Sequence, residues 1–175
     1  DYRDMTGPFA RIVSVGMFAP VGTAHYRTFF NTCHDLLTPD GVMLVHTIGR
    51  MGGPGTTDAF TQKYIFPGGY IPALSEMVAG SEGTRLMVTD VEGLRIHYGL
   101  TIRQWYKRAM ARRADIIALY DERFFRLWTF YLAGAATVFE HGGMVNYQVQ
   151  YARNRRTLPI TRDYMQETEA ALQGR

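Results

Sequence analysis

The sequence predicts an α/β fold that forms one half of a doubly wound sheet, and three observations support this prediction. A short aliphatic run bounded by glycines, Gly41–Gly49, has the pattern of a strand buried on both faces. A second run of this type, Arg11–Phe18, is ended by Pro20 and Gly22. Between the two runs, apolar residues recur at helical spacing: Tyr26, Phe29, Phe30, Cys33 and Leu37. Strand, helix and strand form a βαβ unit, which we expect to be parallel and right-handed.

The rest of the chain continues the alternation of helices and strands. Its predicted elements are a short helix from Pro72 to Val78, a strand from Arg85 to Val91, a helix with Thr101 as its N-cap, a helix from Asp121 to Phe139, a strand from Met144 to Tyr151, a basic turn at Arg153–Arg156 and a terminal helix from Thr161 to Leu172. A length of 175 residues suits one core. We therefore treat 1–175 as a single domain, in which 152–175 form a C-terminal tail.

Composition narrows the class of protein. With 46% hydrophobic and 20% charged residues the chain is globular, and no apolar run approaches the ~18 residues of a membrane span. The single cysteine, Cys33, excludes an internal disulfide and a cysteine-based zinc site, and we predict no metal site. Its place on the apolar stripe indicates a core residue rather than a nucleophile. One cysteine suits a cytoplasmic location. The net charge of +3 is modest, and we expect no nucleic-acid partner.

A glycine-rich loop, Gly49–Gly69, follows the central strand and carries the apolar segment Lys63–Pro67. Loops of this length in compact domains are usually lids or binding walls. A loop that merely packs its own aromatic side chains is the alternative, and the residues leave both interpretations open.

The helix that follows Thr101 is basic and amphipathic. Around its apolar side lie Arg103, Lys107, Arg108, Arg112 and Arg113. Such a helix can rest on an anionic membrane surface or hold phosphate groups. A solvated charged face is the simpler alternative.

A polar pair, His46-Thr47, occupies the C-terminal end of the central strand. Open α/β sheets normally present ligand-binding groups at this edge. The alternative is that His46 only hydrogen-bonds a neighbour, because position in a fold is a weak guide to function. No glycine-rich turn joins a strand to a helix here, so the usual nucleotide-binding signal is absent.

Several ordered motifs extend from Asp1 to about Tyr151. They are Asp1-Tyr2-Arg3-Asp4, Arg11–Phe18, Leu44–Gly49, Lys63–Gly69, and Tyr98 with Thr101 and Trp105. In these motifs the chain resembles the C-terminal half of the cyclopropane-fatty-acyl-phospholipid synthases and mycolic acid cyclopropane synthases. The resemblance implies the C-terminal half of a doubly wound, mostly parallel methyltransferase-type sheet with a lid loop and long helices.

The resemblance also implies a chemistry. Enzymes of this family use S-adenosylmethionine to add a methylene across the cis double bond of a phospholipid acyl chain, and a bound bicarbonate accepts the released proton. By resemblance, His46 and Tyr98 are catalytic and the bicarbonate is held by His46, the backbone of Ile48 and Tyr98. Tyr2, Val15 and Gly16 match positions near the cofactor, and we expect Tyr64 and Phe66 to contact substrate. The expected partners are the phospholipid acyl chain, an anionic surface of the inner membrane and a second copy of the chain.

Two departures from the family pattern leave other functions open. Where the family has Met-Phe-Glu-His-Val-Gly, this chain has Met17-Phe18-Ala19-Pro20-Val21-Gly22, and Ala19 cannot form a side-chain hydrogen bond. The family's cofactor strand, glycine-rich turn and bicarbonate-site cysteine are expected before Asp1, and Cys33 does not replace that cysteine. The alternatives are a small-molecule N-methyltransferase of similar fold, or a non-catalytic remnant that binds lipid or a partner chain.

Overall fold

A four-stranded sheet organises the chain in the computed structural model, which describes residues 1–174. Its strands are β1 (Phe9–Val15), β2 (Leu37–Arg50), β3 (Met87–Gly93) and β4 (Met144–Ala152), in the order β1-β2-β4-β3. β1 and β2 are parallel, whereas β4 lies antiparallel between β2 and β3. The α/β prediction is confirmed, and the sheet is mixed. Three strands share one direction, as a mostly parallel sheet requires, but the reversed β4 makes two of the three neighbouring pairs antiparallel.

Helices flank this sheet on both faces. Within residues 1–174 they are α1 (Phe18–Val21), α2 (Tyr26–Leu36), α3 (Ala59–Tyr64), α4 (Leu74–Ser81), α5 (His97–Ala111), α6 (Arg113–Leu119), α7 (Glu122–Glu140) and α8 (Asp163–Gln173), with 3₁₀ turns at Tyr2–Asp4 and Thr23–His25. None of these helices combines the length and apolarity needed to cross a membrane.

Two helix starts differ from the sequence prediction for local reasons. Thr101 is not an N-cap, because α5 begins one turn earlier, where the His97 N–H donates to the Leu94 carbonyl at 2.9 Å. Pro72 does not open a helix. Its carbonyl accepts a hydrogen bond from the Arg50 N–H at 2.8 Å, which holds this segment extended beside β2. The predicted Asp121 start is confirmed, since Asp121 accepts a hydrogen bond from the Phe124 N–H at 2.6 Å.

Two apolar clusters pack against opposite faces of the sheet because side chains alternate along each strand. One cluster joins α1, α2 and α4 to Met43 and Val45 of β2. The other joins α5 and α7 to Ile48 of β2 and Met144 of β4. Cys33 is buried in the first cluster, where burial raises the pKa of its thiol to about 12. Its interpretation as a core residue is confirmed.

β1 is an edge strand of the described sheet. It pairs with β2, and no other strand of residues 1–174 lies beside it. Within these residues the strand therefore pairs on one side only. Val13 and Val15 are 65% and 67% exposed, so the sheet face next to this edge also leaves apolar surface in solvent.

Candidate active site

The carboxyl ends of β1 and β2 meet at one point of the sheet. The Gly16 N–H donates a hydrogen bond to the His46 carbonyl at 2.9 Å. This bond joins the residue after β1 to a predicted catalytic residue of β2. Gly16 has φ +72°, a left-handed conformation that favours glycine, and nothing lies within 4 Å of the place where a Cβ would stand. The structure therefore brings a predicted cofactor residue next to a predicted catalytic residue, at an open turn.

The His46 ring is contacted from the neighbouring strand by two amides. Asn146 Nδ2 lies 3.3 Å from His46 Nε2, and Gln148 Nε2 lies 3.2 Å from His46 Nδ1. Gln148 is the direct cross-strand partner of His46, and Asn146 is the partner of Ile48. Buried residues alternate with more exposed ones from Tyr147 to Tyr151, but the sequence did not show that Asn146 and Gln148 meet His46.

Tyr98 enters this end of the sheet from α5. Its ring makes edge-on contacts with Trp105 and Phe139, with centroids 5.7 and 5.1 Å apart, and it packs in the same apolar cluster as Ile48. Burial raises the pKa of the Tyr98 hydroxyl above its ordinary value. Because the phenol then stays protonated at neutral pH, Tyr98 can act as a hydrogen-bond donor. His46 and Ile48 share one face of β2, the face against which this cluster packs.

The predicted lid contains a helix of its own. α3 is capped by Asp58, which accepts a hydrogen bond from the Thr61 N–H at 2.9 Å. Phe60 packs edge-on against Phe130 of α7 at 5.0 Å, and Phe66 against Tyr131 at 6.1 Å. Tyr64 and Phe66, the predicted substrate residues, are 42% and 55% exposed. The lid thus packs on α7 through Phe60 and Phe66, while Tyr64 and about half of the Phe66 side chain remain exposed to solvent.

Arg50 of β2 forms hydrogen bonds with the first part of the lid and with the segment that follows it. Its guanidinium donates to the Thr56 carbonyl at 2.7 Å and to the Ile71 carbonyl at 3.0 Å. A Cβ at Gly55 would stand 3.0 Å from the same guanidinium, so the loop passes close over it. Arg50 carries no recognisable signal in the sequence, because its two acceptors are backbone carbonyls, which any residue type provides.

Replacing Arg50 by Met should loosen the lid, because two charge-assisted hydrogen bonds are lost while the side-chain length is kept. Each such bond contributes roughly 1.5–3 kcal/mol, so we expect trypsin to cut after Lys63 about tenfold faster or more. Arg50→Lys keeps the charge and should fall between the two. Cleavage after Arg27 in α2 serves as the internal control. An unchanged rate at Lys63 in Arg50→Met would show that the lid is held by its aromatic contacts alone.

The remaining predicted cofactor residue, Tyr2, packs against the apolar cluster that contains α1 and α2. Its ring packs edge-on against Phe29 of α2 at 5.4 Å. Together with Val21 and His25 it lines a cleft of about 280 Å³. Ala19 belongs to the short helix α1 that leads into this cleft, and its carbonyl accepts a hydrogen bond from the Gly22 N–H at 3.3 Å. The residues at the ends of β1 and α1 are therefore largely exposed to solvent, and the Tyr2 cleft lies next to them, beside α2.

Comparison with known proteins identifies the group to which this arrangement is related. A family model described as mycolic acid cyclopropane synthetase matches residues 1–149. Cyclopropane-fatty-acyl-phospholipid synthase of Escherichia coli K12 is 37% identical over 153 residues, which are 87% of this chain and 40% of that protein. Tuberculostearic acid methyltransferase UfaA1 of Mycobacterium tuberculosis is 36% identical over 154 residues, covering 85% of this chain and 36% of that protein.

Solved structures give the same relationship. The mycolic acid cyclopropane synthase CmaA1, complexed with SAH and CTAB, matches with a TM-score of 0.78 and 30% identity, over 86% of this chain and 57% of that one. The chain spans about two fifths of the length of the curated relatives it matches.

Proposed function

Because the chain belongs to the mycolic acid cyclopropane synthetase family, we propose that it forms part of an S-adenosylmethionine-dependent enzyme that modifies unsaturated acyl chains of phospholipids. Two observations support the proposal: Ile48 and Tyr98 pack against the same apolar cluster, and the open Gly16 turn donates a hydrogen bond to the carbonyl of His46, two residues before Ile48 on β2. Donor groups and an apolar wall meet there, as a reaction on a hydrocarbon chain requires.

The residues present fit one side of a cofactor site. Gly16 leaves free space where a side chain would stand, and the exposed Val15 offers apolar surface beside it. A nucleoside can approach a backbone of this kind closely at the carboxyl ends of parallel strands. S-adenosylmethionine, when bound, supplies a methyl group that adds to the cis double bond of the acyl chain. Val15, Gly16 and Tyr2 would contact the bound cofactor on one side.

The residues at the end of β2 are proposed to hold the group that removes a proton. Once the double bond carries the added methyl group, a proton must leave that methyl group for the ring to close. His46, the Ile48 backbone and the protonated Tyr98 hydroxyl can hold a small anionic acceptor such as bicarbonate. The Tyr98 ring can stabilise the positive charge on the acyl chain, since aromatic faces attract cations.

Incubation of the protein that carries this chain with isotopically labelled S-adenosylmethionine tests the proposal. We expect label in the acyl chains of unsaturated phospholipid vesicles and none in saturated ones. Transfer to small amines instead would identify a small-molecule N-methyltransferase. The absence of any transfer, with lipid binding retained, would identify a lipid-binding remnant.

A peripheral contact with an anionic inner-membrane surface is the second part of the proposal. On α5, Trp105 and Met110 are 37% and 45% exposed and lie next to the exposed cations Lys107 and Arg108. Neither of these two cations forms an ion pair within residues 1–174. The other three predicted cations are paired with carboxylates. Arg103 of α5 pairs with Glu140. Arg112 and Arg113, which were predicted on the same helix, lie beyond the end of α5 and pair with Asp115 and Glu122. Two cations beside exposed apolar side chains suit a lipid headgroup region.

Charge reversal of Lys107 and Arg108 to Glu should weaken binding to anionic vesicles roughly 30-fold or more, at about 1 kcal/mol for each lost cation. Wild-type binding should also fall as salt rises. The matched control is the double reversal Arg155→Glu with Arg156→Glu, which follows β4 at the opposite end of the sheet. Equal loss in both double variants would mean that only the net charge matters.

The outer edge of β1 supports the expected self-association. Its backbone groups have no strand partner within residues 1–174, and unpaired edges invite pairing with another chain. For residues 1–175 taken alone, we therefore expect the sedimentation coefficient to rise with protein concentration as a second copy covers this edge. A single monomeric species at high concentration would contradict the expectation.

A further inference from the structure

Two exposed cations lie where the lid packs on α7. Lys63 is in the last turn of α3, and Arg123 is in the first turn of α7. The two helices are in contact, because the Phe60 ring packs edge-on against Phe130 with centroids 5.0 Å apart. Both cations are exposed, and neither forms an ion pair within residues 1–174.

The hydroxyl of Tyr64 lies close to both cations. The Lys63 ammonium stands 5.1 Å from the centre of the Tyr64 ring. Lys63, as a hydrogen-bond donor and as a positive charge, and then the charge of Arg123 lower the pKa of the Tyr64 hydroxyl. The same ring packs on Phe60 with centroids 5.5 Å apart. Three groups that can donate hydrogen bonds, two of them charged, are therefore gathered on an exposed surface.

The carboxylates nearest to these cations in the sequence are engaged elsewhere. Asp121 and Asp58 accept backbone N–H groups at the starts of α7 and α3, at 2.6 and 2.9 Å. Glu122 forms an ion pair with Arg113 at 2.6 Å. The two cations can therefore bind an anion from outside the chain. A phosphate group suits them, because ammonium and guanidinium groups are its usual partners in proteins.

An aromatic surface leads from these cations towards Tyr98. Phe66, two residues after Tyr64, packs edge-on against Tyr131 of α7 with centroids 6.1 Å apart. Tyr131 packs against the same buried cluster as Tyr98. Burial and, to a smaller extent, Tyr98 raise the pKa of the Tyr131 hydroxyl, so the two phenols are near each other. Cations at one end of an aromatic surface suit a lipid with a charged head better than a free anion.

We propose that Lys63, Tyr64 and Arg123 form a subsite for the phosphate group of a phospholipid, from which an acyl chain extends along Phe66 and Tyr131. This inference rests on the function proposed above, which supplies the lipid. The ammonium, the guanidinium and the phenol all donate to the phosphate oxygens. Because every phospholipid carries this phosphate, the subsite binds the lipid without selecting the rest of its headgroup.

Binding of short-chain lipids below their micelle concentration tests the subsite without methyl transfer. The probe is dihexanoylphosphatidylglycerol, and the comparisons are inorganic phosphate and dihexanoylglycerol, which has no phosphate. In the protein that carries this chain, Lys63→Gln with Arg123→Gln should raise the Kd for the phospholipid about tenfold or more, because two charged donors are lost. The Kd for dihexanoylglycerol should not change. Arg155→Gln with Arg156→Gln removes the same charge at the opposite end of the sheet and should leave both Kd values unchanged.

Three results would overturn the proposal. An unchanged Kd for the phospholipid in the lid variant would show that its cations do not meet the phosphate. Equal losses in the two double variants would mean that only net charge matters. Inorganic phosphate bound as tightly as the phospholipid would identify a site for free anions. Because these Kd values are measured without S-adenosylmethionine, the subsite can be present in a protein that transfers no methyl group, so the two proposals fail separately.

Discussion

Replacement of Ala19 by Glu together with Pro20 by His should raise the rate of ring closure on an unsaturated phospholipid by roughly 10- to 100-fold. Such a gain equals about 1.4–2.7 kcal/mol of transition-state stabilisation, the range of one or two charge-assisted hydrogen bonds. The bound base needs a partner for its own hydroxyl, and Ala19 offers none. Pro20 also lacks a backbone N–H at the same turn.

The location of α1 makes the double replacement practicable. Ala19 is partly exposed and Pro20 exposed, so longer side chains have room there. Val21, in the same short helix, lines the cleft that Tyr2 borders. The matched control is Ala19→Met with Pro20→His, which adds similar bulk without a carboxylate and should give little gain. If the unaltered protein is already as fast as the restored one, the proposed base site is complete without these residues.

Phe18→Ala should lower the free energy of unfolding by about 3–5 kcal/mol, the usual cost of deleting a fully buried aromatic ring. Phe18 is 0% exposed, and its ring stacks on Tyr26 with centroids 4.1 Å apart. Phe29 and Phe30 of α2 lie 5.3 and 5.4 Å away, so a cavity there would be lined by rigid rings that close it poorly. Urea unfolding followed by circular dichroism measures the change.

The control for this prediction is an apolar residue that lies outside the core. Leu119, at the end of α6, is 74% exposed, and Leu119→Ala should change stability by less than about 0.5 kcal/mol. Similar urea midpoints for Phe18→Ala and the wild type would contradict the packing described for α1. Because Phe18 directly precedes Ala19, this buried ring also fixes the position of the segment that the double replacement alters.

Features set by local pattern could be predicted from the sequence. The run Gly41–Gly49 lies within β2 because a short aliphatic segment between glycines favours a buried strand over a helix. The stripe from Tyr26 to Cys33 is buried, as helical spacing on one face requires. Boundaries were less accurate where the cap is made by tertiary contacts. Thr101 has the residue type of an N-cap, yet the turn after β3 starts the helix at His97.

Features that depend on pairing distant segments could not be predicted. Periodicity does not reveal that β4 inserts between β2 and β3 in the opposite direction, since a strand's pattern carries no direction. His46 was recognised from its place at a strand end, but its two amide contacts come from residues about a hundred positions later. Arg50 was missed for the same reason, because its acceptors at Thr56 and Ile71 are identified only by the path of the lid.

The measurement that tests the central claim most directly uses S-adenosylmethionine with a fully deuterated methyl group and vesicles of unsaturated phospholipid. If the protein that carries this chain forms a cyclopropane ring, mass spectrometry will find two of the three deuterons in the acyl chain, because one leaves as the ring closes. Deuterated product should also be absent with saturated lipid. An acyl chain that keeps all three deuterons would reveal methyl transfer without ring closure, and no deuterium in any lipid would contradict the assignment of this chain to a lipid-modifying enzyme.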